Sequence, residues 1–378
     1  MSIEIDKTEM EDNMKYETHE KFGKVSKLGF GAMRFPKKGD QIDQEQVNAM
    51  IKAAYDAGVN YFDTAYVYGG GASEIALGKA LKQFPRDSFF LADKHPFYNL
   101  KTIEERDTFF NTSLERCGVD YFDFYLIHAV NGKNAKGIID YDMVNWAVQK
   151  KKEGKIRYLG FSMHDTIDLL NELLALHDWD FVQIQYNYLD TEGEPGTKGY
   201  EELVKRNIPI TIMEPLKGGV LVNIPENLTK PFRDIGMSNQ EIAFRWIAEK
   251  KGILTVLSGM SSIEQTEDNL RIFSNLEPLT DEQNAAIAQV KKNIIDAQKV
   301  GCTGCAYCMP CPMGINIPAS FKAWNTKAMN DSTNWISGTD IDAETIKKCV
   351  ECGQCMNHCP QKINVPEKLK ELLAYYGK

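Results

Sequence analysis

Between residues 27 and 260 the chain alternates two kinds of apolar pattern. Short runs rich in β-branched and aromatic residues, KLGFGA, NYFDTAY, FFLADKH, FDFYLIHA, RYLGFS, FVQIQYN, PITIMEP and LTVLSGM, have the length and composition of buried strands. Between them lie segments with apolar residues at helical spacing, such as Val47, Met50, Ile51 and Ala54, or Ile242, Ala243, Trp246 and Ile247. That spacing is the stripe a helix buries against a sheet. Eight strands with intervening helices and no long linker predict an α/β fold, a (β/α)8 TIM barrel, more economically than a doubly wound sheet. In such a barrel the polar residues at the C-terminal strand ends form the site. They are Asp63 and Thr64, Lys94, His128, Ser162, then Gln185 and Asn187, with Tyr68 in the loop after the second strand.

Past residue 300 the pattern changes to clustered cysteines. The first cluster reads Cys302-x2-Cys305-x2-Cys308-x2-Cys311-Pro312, and the second reads Cys349-x2-Cys352-x2-Cys355-x3-Cys359-Pro360. CPMGINIP after the first is echoed by CPQKINVP after the second, as expected of a module with two equivalent halves. A thiolate at every third residue wraps one iron-sulfur cubane, with a more distant Cys-Pro supplying a fourth ligand, and the second cluster of cysteines matches the bacterial ferredoxin run. Structural zinc is the alternative, but three successive two-residue spacings followed by Cys-Pro fit it poorly. The resemblance to two-cluster ferredoxins implies that Cys302, Cys305, Cys308 and Cys359 hold one [4Fe-4S] cluster and Cys349, Cys352, Cys355 and Cys311 the other. The first run departs from that pattern by one residue before Cys311. The predicted organisation is an N-terminal extension over 1-21, a barrel over 22-296 and a small, largely helical, ferredoxin-like dicluster domain over 297-378.

Composition narrows the function classes. A formal net charge of -9 argues against nucleic-acid or anionic-membrane surfaces, which need basic patches. The first twenty residues mix both charge signs without an apolar segment, and no later run is long enough to span a bilayer, so the expected location is the cytoplasm. Eight of nine cysteines in two tight groups then read as metal ligands and not as disulfides. The ninth, Cys117, lies on an apolar helix pattern and is expected to be a core thiol.

The set YFDTAYVYG, SEIALGKAL, FLADKH, YLIH, IRYLGFS and QIQYN resembles the aldo-keto reductase family over about residues 22 to 275. The resemblance implies a catalytic tetrad of Asp63, Tyr68, Lys94 and His128. The chemistry agrees: hydride reduction of a carbonyl leaves an alkoxide that needs a proton donor beside it. Lys94 would lower the Tyr68 pKa, Asp63 would hold Lys94, and His128 would orient the substrate oxygen. For the cofactor, the resemblance points to Ser162, Gln185, Gly259, Gln265 and Asn269. Met163 and Met213 stand where the family has an Asn and often an aromatic ring, and Ser261 and Gln265 stand where NADP-binding members have Lys and Arg. NAD(H), NADP(H) and no nicotinamide therefore stay open, as does a flavin, whose phosphate Lys217 with Gly218 and Gly219 could help bind. Clusters pass single electrons whereas nicotinamides pass hydride, so coupling the two normally needs a flavin or a radical-tolerant substrate.

The leading expectation is an oxidoreductase acting on a small-molecule carbonyl (aldehyde, ketone or sugar-like), exchanging electrons with a ferredoxin or other redox partner. One alternative is a non-enzymatic electron carrier or redox sensor with the barrel as scaffold. Another is an NAD(H)-dependent reductase whose clusters are purely structural. A carrier tolerates Tyr68→Phe and an enzyme does not.

Overall fold

The computed structural model describes residues 14-193, 195-302, 307-329, 342-359 and 361-376. All eight expected strands form: β1 (Leu28–Gly31), β2 (Tyr61–Asp63), β3 (Phe90–His95), β4 (Phe122–Val130), β5 (Ile156–Met163), β6 (Phe181–Gln185), β7 (Ile210–Met213) and β8 (Ile253–Ser258). They pair in parallel, each with the next in sequence, and β8 closes on β1 through Val256–Leu28 and Ser258–Phe30.

Strand alternation sorts the side chains. One set, Tyr61, Ala92, Phe124, Leu126, Phe181, Leu254 and Leu257, clusters inside the barrel. The alternate positions, including Phe62, Leu91, Tyr125 and Ile127, pack outward in the larger core shared with the helices. Helix α1 (Gln44–Asp56) is capped by Asp43, whose Oδ1 accepts from Gln46 N at 3.2 Å, and buries Val47, Met50, Ile51 and Ala54 completely. Helices α2 (Ala72–Leu81), α3 (Glu105–Cys117), α4 (Met143–Lys152), α5 (Ile167–Leu174), α6 (Gly196–Lys205), α7 (Asn239–Ala248) and α8 (Ile263–Ser274) complete the surrounding layer. A hairpin, Tyr16–His19 with Gly23–Ser26, carries Phe22 in its turn. Phe22 packs 5.2 Å from Phe124 and 4.6 Å from Tyr158, and with Val25 it joins the interior cluster at the strands' N-terminal ends. Burying one such ring contributes about 2-3 kcal/mol, and the plug leaves the C-terminal ends as the open face.

By packing, the chain divides into two units: the barrel, up to Val222 together with Asn239–Thr280, and a second unit of Asn223–Ser238 with the chain from Asp281 onward. In the second, helix α9 (Asp281–Ala297) is tied to the 223-238 segment, Asn293 Nδ2 donating to Leu228 O at 2.9 Å. Helices α10 (Ile317–Met329) and α11 (Val365–Tyr376) contribute Phe321, Trp324, Val365, Leu369 and Leu372 to a core that also holds Ile315, Ile346 and several cysteines. The sequence repeat is a structural repeat. Gly314 N donates to Cys311 O at 2.9 Å and Lys362 N to Cys359 O at 3.0 Å, and both residues are left-handed, at φ 74° and 52°. Asn316 O and Asn364 O then each accept the N–H four residues on, at 3.0 Å, opening α10 and α11 alike. Among the described residues no helix is long and apolar enough to cross a membrane.

Candidate active site and iron-sulfur loops

Alternation along three neighbouring strands brings the predicted tetrad together at the open end of the barrel. Asp63 ends β2, Lys94 lies near the end of β3, and His128 lies near the end of β4. Tyr68 starts a tight turn in which Gly69, Gly70 and Gly71 all take positive φ, at 58°, 66° and 96°. Side chains rarely adopt that run. At Gly71 a Cβ would also lie 2.5 Å from the Arg116 guanidinium. Beside His128 the β4–β5 register shifts between Ile127 and Val130, and Ala129 sits at φ 50°. Such a bulge re-aims the side chain next to it.

The Lys94 ammonium is fully buried and uses all three hydrogens. It donates to Asp63 Oδ1 at 2.5 Å, to Thr64 O at 2.6 Å and to the Tyr68 hydroxyl oxygen at 3.3 Å. Burial alone would pull its pKa down, but Asp63 and Tyr68 together overcome it and hold the lysine charged. Tyr68 feels the opposite balance: burial raises the phenol more than Lys94 lowers it, so its pKa lies above the ordinary value and not below it. The group is therefore a phenol at neutral pH, its oxygen accepting from Lys94 and its own hydrogen available to a third party. Burial, then the charge on Lys94, push His128 well below the usual imidazole range, so it is neutral. Its ring lies 5.9 Å from that of Tyr68, and its Nδ1 is 3.4 Å from the Tyr98 hydroxyl.

The residues expected at a cofactor lie on strands β5 and β6, in the loops after β7 and β8, and on helix α8. Ser162 Oγ accepts from Ala129 N at 2.8 Å. Gln185 donates to Asp190 Oδ2 at 3.0 Å, as does Asn187 at 3.1 Å, and Lys217 Nζ meets both Asp190 oxygens at 2.5 and 2.6 Å. Gln265 Oε1 accepts from Ser261 N at 2.8 Å, and Asn269 donates to Ser258 Oγ at 2.8 Å. Gly259 lies against the Arg34 side chain. Asp190, Tyr98 and Arg34 escaped the sequence reading because their loops have no periodicity; only their proximity in space marks them.

A buried acid pair sits one residue from Lys94 on the outer face of β3. Glu74 Oε2 is paired with Arg116 at 2.8 Å, while Asp93 Oδ1 accepts from Lys94 N at 2.6 Å. The remaining oxygens, Glu74 Oε1 and Asp93 Oδ2, meet no N–H donor, so one proton shared between the carboxyls satisfies both. Burial, then Glu74, push Asp93 well above the carboxylate range. A raised folded-state pKa stabilises below the unfolded value, and that stabilisation is lost as pH rises through the folded one. Asp93→Asn, which keeps a donor to Glu74 without titrating, is expected to gain on wild type in melting temperature as pH climbs from about 5 to 9. A difference in melting temperature that does not change with pH counts against the shared proton. Cys117 lies alongside, 2% exposed, with burial raising its thiol well above its usual range.

In the second unit, Cys308, Cys311, Cys349, Cys352 and Cys355 line one cavity of about 430 Å³ with Met309, Met313, Ile315 and Leu369. Glu351 at φ 55° and Gly353 at φ 75° turn the 349-355 loop so that its three thiols face this cavity. Burial raises the Cys355 thiol, and the neighbouring Cys349 and Cys352 raise it further. Five thiols around a largely apolar cavity, which Glu351, Gln354 and His358 also line, fit iron-sulfur ligation. Cys302 and Cys359 are described on the same unit, and Cys305 lies outside the described residues.

Comparison with known proteins places both regions of the chain in known families. The 4Fe-4S dicluster domain profile matches residues 301-363. A probable aldo-keto reductase from Glycine max is 32% identical over 54% of this chain and 61% of its own length, so the chain spans less than two thirds of that relative. An NADH-specific methylglyoxal reductase of Escherichia coli is 26% identical over 65% of this chain and 89% of its own. A Klebsiella pneumoniae aldo-keto reductase crystallised with NADPH superposes with a TM-score of 0.61 at 21% identity, covering 74% of this chain and 95% of its own. With the aldo/keto reductase profile matching residues 27-292, which include an eight-stranded barrel, this chain belongs to the aldo/keto reductase family of oxidoreductases and carries a 4Fe-4S dicluster region C-terminal to the barrel in sequence.

Proposed function

We propose that the protein reduces a small carbonyl compound, an aldehyde, ketone or sugar-like substrate, with NADH in the barrel, and that two [4Fe-4S] clusters exchange electrons with a redox partner. The observation that carries the reading is the buried Lys94 ammonium held between Asp63 and the Tyr68 phenol, beside a neutral His128. A bound nicotinamide supplies a hydride to the carbonyl carbon. The Tyr98 hydroxyl lies 3.4 Å from His128 Nδ1, and with Tyr98 as the donor the imidazole proton sits on Nε2, where it would hold the carbonyl oxygen. As negative charge develops there, Tyr68 gives up its hydroxyl proton to that oxygen. Lys94 stabilises the phenolate left behind, and Asp63 keeps Lys94 in place. Ser162 and Gln185 are assigned to the nicotinamide end, and Gly259, Gln265 and Asn269 to the adenine end. Lys217, considered for a flavin phosphate, is committed to Asp190, so the flavin reading is not carried further.

Preference for NADH is supported by the uncharged Ser261 and Gln265 and by the name of the Escherichia coli relative. Titrating anaerobically purified protein with each nucleotide, while following cluster bleaching, tests it. NADH is expected to bind roughly tenfold tighter or better, since a 2'-phosphate would lack a cation at those two positions. Tighter binding of NADPH would reverse the assignment. A second reading makes the clusters structural, and one observation favours it: the core of the second unit includes Cys302, Cys308, Cys311, Cys349 and Cys355 packed on Val300, Phe321 and Trp324. Bleaching by NADH, with a carbonyl substrate present to restore the colour, separates the two.

A further inference from the structure

We infer that the pocket on the outer face of β3 is a metal site separate from the cysteine loops, in which Glu74, Asp93 and Cys117 hold one zinc ion. The three residues come from three elements, α2, β3 and the end of α3, yet their ligand atoms all lie within 4.8 Å of one another, and none of the residues is more than 2% exposed. Close helix packing makes the approach possible. Glu74 and Gly78 share one face of α2, and a Cβ at Gly78 would come 2.4 Å from Cys117 O, so the residue there must be glycine for the two helices to meet. Each carboxylate is anchored through one oxygen and offers the other. Arg116 holds Glu74 Oε2 at 2.8 Å and Lys94 N donates to Asp93 Oδ1 at 2.6 Å, whereas Glu74 Oε1 and Asp93 Oδ2 are buried without an N–H donor. Carboxylates that bind metals are commonly oriented by outer hydrogen bonds of this kind.

Two further groups point to a ligand in this part of the core. Ser113 Oγ, one turn before Cys117 on the same face of α3, and the Tyr125 hydroxyl on β4 are buried and meet no hydrogen-bond partner among the described residues. After burial, the charges of Asp93, Glu74 and Cys117 act most on Tyr125, which puts its hydroxyl beside all three. A hydroxyl here can supply the fourth ligand of a tetrahedral ion. The charge also balances. One zinc ion with two carboxylates, a thiolate and the Arg116 guanidinium sums to zero. So does the metal-free pocket, in which the carboxyls share one proton and Cys117 is a thiol. Binding therefore exchanges one divalent cation for two protons, released to solvent, and leaves the buried charge unchanged. The alkaline gain expected of Asp93→Asn belongs to that metal-free state. A thiolate among carboxylates suits zinc, whereas calcium and magnesium take oxygen ligands.

Because the pocket is closed, the ion must enter as the chain folds. The test therefore grows wild type, Cys117→Ala and Asp93→Asn in zinc-supplemented medium and purifies each full-length protein anaerobically. Zinc and iron are counted by mass spectrometry, and X-ray absorption at the zinc edge reads the ligands. Wild type is expected to hold about one zinc per chain in addition to its iron, with one sulfur at about 2.3 Å and the remaining ligands oxygen at about 2.0-2.2 Å. Both variants should lose the zinc and keep their iron. If Cys117→Ala does not fold, Asp93→Asn decides alone, since it keeps the volume and the oxygen that accepts from Lys94 N. Wild type with little or no zinc overturns the inference. So does zinc that both variants retain, or zinc surrounded by four sulfurs, which would put it in the cysteine loops instead.

Discussion

Tyr68→Phe is expected to lower the rate of carbonyl reduction about 10²- to 10⁴-fold, the range that a positioned general acid contributes. NADH affinity should stay the same. Two phenols face His128, and the structure distinguishes them. Only Tyr68 lies in hydrogen-bonding reach of an ammonium, 3.3 Å from Lys94, so only its conjugate base has a stabilising cation in contact. Tyr98 meets His128 at 3.4 Å and is raised chiefly by burial, so Tyr98→Phe should cost far less. The pH dependence has a definite sign. Because burial places the Tyr68 pKa above its ordinary value, the proton is present through neutral pH, and reduction should fail only on the alkaline side. Steady-state rates of both variants across pH check this. A Tyr68→Phe enzyme that retains most of its rate would move the proton donor elsewhere and return the barrel to the role of scaffold.

Why the tetrad could be read without coordinates is clear from its geometry. Asp63 ends one strand, and Lys94 and His128 lie near the ends of two others, whose period-two alternation also fixes Tyr61, Ala92 and Phe124 as interior, so one pattern gives both the core and the candidate site. The cofactor end was less legible. The loops around it bring together residues remote in the chain, Arg34 meeting Gly218 and Gly259 from 184 and 225 residues away, and nothing in the local sequence of AMRFP announces that contact. The direction of the Tyr68 pKa was also hidden. Sequence supplies the Lys94 charge that lowers it, but only the packing around the ring shows that burial acts more strongly. In the second unit the repeat was visible as letters, and the matching left-handed turns at Gly314 and Lys362 show what the letters encode.

Anaerobically purified protein is expected to contain roughly eight iron and eight labile sulfide per chain, as two [4Fe-4S] clusters require. Replacing single cysteines then maps which thiols share a cluster. Cys308, Cys311, Cys349, Cys352 and Cys355 line one cavity, although the first two are far from the other three in sequence. Under the crossed pairing proposed from the ferredoxin-like spacing, Cys352→Ser and Cys311→Ser should each lower iron to roughly four per chain and remove the same spectroscopic species. Cys359→Ser should instead remove the other. Cys352 is the informative choice because it is the exposed member of the set, so its hydroxyl replacement disturbs the surrounding core of Phe321, Trp324 and Leu372 least. Iron and sulfide assays with electron paramagnetic resonance of the dithionite-reduced variants read the outcome. If Cys359→Ser removes the same species as Cys352→Ser, and Cys311→Ser removes the other, each run of four cysteines holds its own cluster and the crossed pairing is wrong. Zinc in place of iron in the wild type would remove electron transfer from the account and leave the second unit a structural one.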